Sequence, residues 1–321
     1  MALDPETGLV VMFGGQEGFG SAPTSEVWLF DPTNLVWALG ERTDPTPSGK
    51  SGHALVGLDS TGGVALVGGS EGYLQPNCQS QRVSAGTVVD VWTFDASTLT
   101  WSQASSGNAP EDRWGHDVTL SGDGQTLVLF GGSAGPVLQL NPTADTWAYD
   151  IEAGTWTQVV TAQAPEPRTC HQMVTDPDTG LIYMFGGELG LSRGMADLWT
   201  FDLERGSWTL IESTGSSAPG AIWSHQMVYE PNSGLILVIG GAGIQTVQTG
   251  AGTTTNVGPL DGVWAFDPKT NKWESRKPMP YPLGMHAAVA LGDGRVLVHG
   301  FGATLTYDVA TDAWTDLTPD S

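Results

Sequence analysis

Tryptophans recur in this chain nine residues apart: Trp28 and Trp37, Trp92 and Trp101, Trp147 and Trp156, Trp199 and Trp208, Trp264 and Trp273, with Leu305 standing nine before Trp314. Each pair follows a short apolar run ending in glycine: LVVMFGG at 9–15, ALVGG at 65–69, LVLFGG at 127–132, IYMFGG at 182–187, LILVIGG at 235–241 and a worn copy, VLVHGFG, at 296–302. A histidine leads every run but the first. His53, His116, His171 and His225 lie 15 residues before the first glycine of the pair, and His286 lies 14 before Gly300. Self-similarity at a fixed period overrides length as a guide to architecture, because each copy is one unit that buries its faces only against its neighbours.

Within a unit the apolar runs are short and separated by turn signals such as DPETG, DPDTG, EPNSG and SGDG. No helical periodicity is sustained, so each unit reads as four antiparallel strands. Successive second tryptophans lie 41 to 65 residues apart. Six such units predict an all-β, six-bladed β-propeller as a single domain over 1–321, with approximate units 1–40, 41–104, 105–159, 160–212, 213–276 and 277–321. Aligning MALDPETG at 1–8 with MVTDPDTG at 173–180 leaves the first unit without its histidine half, so the first blade is expected to be incomplete: three strands and a stub.

Together these residues resemble the kelch-repeat β-propeller family, whose motif joins an Arg-x-x-His strand, a Gly-Gly strand end, an aromatic strand and a tryptophan nine residues on. The resemblance covers the whole chain. It departs locally: arginine stands only at Arg113 and Arg168, with Lys50, Ile222 and Leu283 elsewhere, and the last copy has Gly-Phe for Gly-Gly. The resemblance implies a propeller and leaves activity open, since the family holds protein-binding scaffolds, lyase-like specifier proteins, sugar epimerases and a copper oxidase.

Charge narrows the partners. With 35 acidic and 12 basic residues the net charge is −23, which repels nucleic acid and anionic lipid. No apolar run is long enough to cross a bilayer and no basic start precedes an apolar block, so the chain as given is expected to be soluble, its compartment undetermined. A Cys78–Cys170 disulfide would have to reach from unit two to unit four, a span that argues against it.

In a four-stranded meander the second-to-third connections share a rim with the links between units. The second-to-third connections vary most, taking 13, 23, 15, 12 and 23 residues from second glycine to next tryptophan. The long ones, 70–90 and 242–262, are expected as structureless loops suited to recognition. The same rim receives Arg113, Trp114, Arg168 and Trp223, which with Tyr73 and Arg82 form the candidate binding set. The repeat itself offers Arg113 and Arg168 a second role, in hydrogen bonds between blades. Trp114 and Trp223 break the repeat, and are expected either to stack on a ligand or partner or to pack into the rim.

The leading expectation is a non-catalytic, protein-binding or assembly module without cofactor, small-molecule ligands remaining open. The alternative is an enzyme at the channel mouth. Resemblance to iron-dependent specifier proteins would place a metal at Asp112 and His116, with Asn108 where a glutamate ligand belongs. A copper-oxidase likeness would use Tyr73, Cys78, His116 and His171, and a sialic-acid-epimerase likeness Arg113, Arg168 and Glu188.

Overall fold

The computed structural model describes every residue except 17, 19, 42, 60, 73–87, 135–140, 191–192, 214–216, 250–251 and 319–321. Among the described residues there is no helix, and six antiparallel sheets of four strands follow one another along the chain. Sheet 1 comprises Ala2–Leu3, Val10–Phe13, Val27–Asp31 and Val36–Leu39; sheet 2, Ala54–Gly57, Val64–Val67, Val91–Asp95 and Thr100–Gln103. Sheet 3 comprises Asp117–Leu120, Thr126–Phe130, Thr146–Asp150 and Thr155–Val159; sheet 4, Gln172–Thr175, Ile182–Phe185, Leu198–Asp202 and Ser207–Ile211. Sheet 5 comprises Gln226–Glu230, Leu235–Ile239, Val263–Asp267 and Lys272–Arg276; sheet 6, Ala287–Ala290, Arg295–Gly300, Ala303–Asp308 and Ala313–Asp316. The first strand of sheet 1 is two residues long, pairing Ala2 with Val11 and Leu3 with Val10.

The other strands are four to six residues long and rich in β-branched and aromatic side chains, too short to form a core alone. The core therefore sits between sheets. Six buried apolar clusters each join one sheet to the next: Val11 and Phe13 with Leu66 and Trp101, Val67 with Leu129 and Trp156, Phe130 with Met184, Phe185 with Ile236, Leu237 with Val296, and Val10 and Phe30 with Leu291 and Leu297. The last of these returns from sheet 6 to sheet 1. First strands likewise touch in cyclic order, sheet 6 against sheet 1 included.

The nine-residue tryptophan interval is a packing register. The aromatic two places after each first tryptophan lies opposite the second tryptophan across a hairpin, as in Phe94 opposite Trp101 and Phe201 opposite Trp208. The second tryptophan then meets the end of the preceding sheet's second strand: Phe13 against Trp101, Phe130 against Trp208 and Phe185 against Trp273, centroids 4.9 to 5.4 Å apart. The Gly-Gly pair belongs to the same joint. Gly186 has φ +67°, and a Cβ there would come within 2.6 Å of the Ile222 carbonyl oxygen and 2.8 Å of His225 Cε1. A side chain at that place would push sheets 4 and 5 apart.

Candidate functional site

The loop-bearing rim is built on the residues that open each first strand. Arg113 donates through Nη1 to Gly131 O at 3.0 Å, Thr143 Oγ1 at 3.1 Å and Asp145 Oδ1 at 2.7 Å, and through Nη2 to Asp145 Oδ2 at 3.1 Å. Arg168 repeats the fork on Asp197 at 2.7 and 2.8 Å, with Nη1 also on Gly186 O at 3.0 Å. Lys50 reaches Asp90 at 2.8 Å. Each aspartate stands two before a first tryptophan and accepts that indole N–H as well: Trp92 on Asp90, Trp147 on Asp145 and Trp199 on Asp197. Burial pushes the Asp145 and Asp197 carboxyls up, but the hydrogen bonds and charge of their arginines, with the indole bonds, outweigh it and hold both below the ordinary carboxylate value. Unit five has the apolar version: Ile222 replaces the cation and Gly262 the aspartate.

Inside this rim a backbone belt crosses sheets 3 to 6. The residue before each of the five leading histidines has left-handed φ: Gly52, Gly115, Cys170, Ser224 and Met285, at 60°, 64°, 54°, 51° and 57°. That turn aims its amide along the belt, so Cys170 N–H donates to Gly115 O, Ser224 N–H to Cys170 O and Met285 N–H to Ser224 O, at 2.7, 2.9 and 3.3 Å. Trp114 and Trp223 are buried beside it, at 4 and 0% exposure, in one apolar cluster with Ala242, flanked by Cys170 and Met285. Sheets 3 and 5 are not neighbours, so residues from both meeting in one cluster place it toward the axis.

Below the belt lies a cavity of about 760 Å³ lined by the first strands, by all six histidines and by Asp117, and reaching the rim beside Gly14–Gly15 and Phe301–Gly302. Burial keeps the histidines neutral, lowering His53, His116 and His225 to about 3 and His286 to about 4. Asp117 is pushed up to about 7 by burial, although its Oδ2 accepts the Met173 N–H at 2.5 Å.

A family model described as Attractin/LZTR1 beta-propeller matches residues 80–306, more than two thirds of the chain. The chain belongs to this kelch-type β-propeller family. Among its relatives are Mei4-dependent protein 6 of Schizosaccharomyces pombe, 26% identical over 171 residues, and mouse Kelch-like protein 35, 31% identical over 171 residues. Those matches cover 50 and 53% of this chain and 23 and 26% of the relatives. Putative protein tag-53 of Caenorhabditis elegans is 24% identical over 314 residues, 89% of this chain and 21% of that protein. The chain thus spans about a quarter or less of the curated relatives it matches.

On this kelch-type propeller the four described members of the candidate binding set share one rim but turn inward. Arg113 and Arg168 are 3 and 0% exposed and lie in ion pairs, and the two tryptophans pack in the axial cluster. Tyr73 and Arg82 lie outside the described residues, as does most of the 70–90 connection. The 242–262 connection is corrected: it is no structureless loop but a hairpin of Ala242–Thr249 and Gly252–Pro259, paired over eight residues. Its alternating Ile, Thr and Val carry the strand signal. Cys170 is disulfide-bonded, and the chain's one other cysteine, Cys78, lies outside the described residues. Unit distance therefore did not keep Cys170 free. Of the pair suggested as metal ligands, His116 places Nε2 3.2 Å from Val67 O of sheet 2, and Asp112 accepts the Arg113 N–H at 3.0 Å. Among the described residues no three His, Cys, Asp or Glu side chains converge as a metal site. No helix among them is long and apolar enough to cross a membrane. Asp90, Asp145 and Asp197 were missed in the sequence, although their fixed place two before the first tryptophan was the signal.

Proposed function

We propose that the chain is a closed six-bladed propeller that binds another protein through the rim carrying the 70–90 and 242–262 connections. The observation that carries this reading is the 242–259 hairpin, which rises from a rim whose buried cations are neutralised in place by Asp90, Asp145 and Asp197. In this reading Arg113, Trp114, Arg168 and Trp223 hold the rim in shape, and the two long connections meet the partner. Cyclic contact of the first strands and the sheet 6 to sheet 1 core support six blades. Rigid rings with variable connections on one face suit recognition, since the scaffold bears the stability and the connections are free to differ. The test is affinity capture with the intact chain against two variants, one with 244–257 replaced by a short turn and one with 73–87 shortened. Loss of a captured protein in either variant, at unchanged melting temperature, supports the reading. Equal recovery by all three sinks it.

A further inference from the structure

The hairpin leaves an open β-edge. Among the described residues only its base, Ala242 and Gly243, has a third strand beside it, Ile222–Trp223. Beyond that, among the described residues, Gly252–Pro259 pairs only with Ala242–Thr249. A two-stranded ribbon in water is marginal, and exposed edges are ordinarily blunted by lysine, proline or a bulge. Here 242–259, AGIQTVQTGAGTTTNVGP, holds no charged residue, and its one proline stands at the base.

The ladder fixes which backbone groups are offered. Leu260 N–H donates to Gly241 O at 2.8 Å. Bonded and non-bonded pairs alternate, so Gly243–Gly258 and Gln245–Asn256 bond inward, while Thr255 and Val257 turn N–H and C=O outward. Val257 lies opposite Ile244 on one face, and the two are 40 and 60% exposed, an apolar step beside the open edge. Around the hairpin the rim is acidic. Glu41, Glu71, Glu111, Glu166, Glu212 and Asp261 are exposed on the rim's connections and outnumber its described exposed cations, Lys277 and Arg193, the latter held by Glu166, while Lys50, Arg113 and Arg168 are buried and paired. A second copy would bring the same excess of carboxylates, and a basic strand would be drawn in.

Resting on the rim as the binding face, we infer that the edge of Gly252–Pro259 takes up an extended, lysine- or arginine-bearing segment of a partner protein by strand addition. The incoming strand exchanges main-chain hydrogen bonds with Thr255 and Val257, sets an apolar side chain on the Ile244–Val257 step and turns its cations to the rim carboxylates.

The probe is a labelled peptide of about ten residues with lysine alternating with valine, read by fluorescence anisotropy, beside the same peptide with glutamate for lysine. Val257→Pro removes the outward N–H and leaves the hairpin's own ladder intact; Thr246→Pro does the same on the opposite edge and serves as control. The lysine peptide is expected to bind the intact chain and Thr246→Pro alike, about tenfold or more weaker to Val257→Pro, and more weakly as salt rises. Amide exchange should slow at Thr255 and Val257. Equal binding by Val257→Pro, equal binding of the glutamate peptide, or self-association of the chain that Val257→Pro abolishes would each overturn the inference. In the capture assay, a partner lost on shortening the hairpin but kept by Val257→Pro refutes the edge and spares the rim; a partner kept by both shortened variants refutes the rim.

Discussion

His299 of the last sheet lies against Trp37 of the first, ring centroids 5.0 Å apart. Its strand register, opposite Ala287, is that of Ile239 opposite Gln226 and Phe185 opposite Gln172. His299 therefore fills the place that Phe13, Phe130 and Phe185 fill against Trp101, Trp208 and Trp273. The Trp37 indole N–H donates to Thr304 Oγ1 at 3.1 Å, as Trp208 donates to Thr146 Oγ1 at 2.9 Å. The seam between the chain's last and first sheets is thus the same joint that links its internal neighbours.

The ion pairs of the rim are structural, and removing their halves should be unequal. Arg168 is fully buried while Asp197 keeps partial access to water. Asp197→Ala strands a buried guanidinium and is expected to cost about 3–5 kcal/mol. Arg168→Met combined with Asp197→Ala should recover most of that loss, since unit five carries Ile222 and Gly262 at the two corresponding places. Urea unfolding measures both; additive losses would contradict the argument.

Trp114 is a packing residue at the axial end. Trp114→Ala is expected to destabilise by about 3–5 kcal/mol, as large core truncations do. A midpoint in denaturant close to that of the parent would return the indole to a binding role.

Ser224 sits at φ 51° where units two and three have glycine. A left-handed conformation costs an L-residue roughly 1–2 kcal/mol that glycine avoids. Ser224→Gly should raise stability by about 1 kcal/mol, less what glycine loses in unfolded-state entropy. Thermal or urea unfolding shows the sign.

Acid should unfold this propeller through its histidines. Their folded values, about 3 for His53, His116 and His225 and about 4 for His286, lie below the ordinary 6.5. Between those limits the unfolded chain binds more protons, so stability falls as pH drops below about 6.5 and continues to fall to about 3, by up to roughly 1.4 kcal/mol per unit per histidine. Asp117 works in the opposite direction. Held protonated up to about 7 when folded and ionising near 3.8 when unfolded, it removes stability as pH rises through that window. Asp117→Asn should therefore be more stable than the parent at pH 7 and above, and indistinguishable near pH 4. Denaturant midpoints at several pH values give both slopes.

The architecture was legible because its signals repeat: the Trp37 to Trp314 series, the Gly-Gly ends and the leading histidines each report one packing joint many times. The site was less legible, for three physical reasons. The rim cations were visible, but Asp90, Asp145 and Asp197 each stand just before their unit's third strand, far along the chain, and only the fold brings each to its cation. Trp114 and Trp223 broke the repeat and suggested function, yet an apolar cluster between non-adjacent sheets has no linear pattern. The 242–262 insertion was rich in glycine and threonine, which masked the alternation of Ile244 with Thr246 and of Thr255 with Val257 that makes a hairpin.

Ring closure is tested most directly by a double-mutant cycle across the seam, with Trp37→Phe and Thr304→Val, residues 267 positions apart in sequence. Trp37→Phe removes the indole N–H together with part of the ring that packs on Phe30 and His299, and Thr304→Val removes a hydroxyl that also meets His299 Nδ1, so it is the coupling between the two changes that reports the hydrogen bond across the seam. Closure predicts a coupling of about 1 kcal/mol, the double variant losing less than the sum of the single ones. Strict additivity would mean that sheet 6 does not meet sheet 1, and the closed six-bladed ring would fall with it.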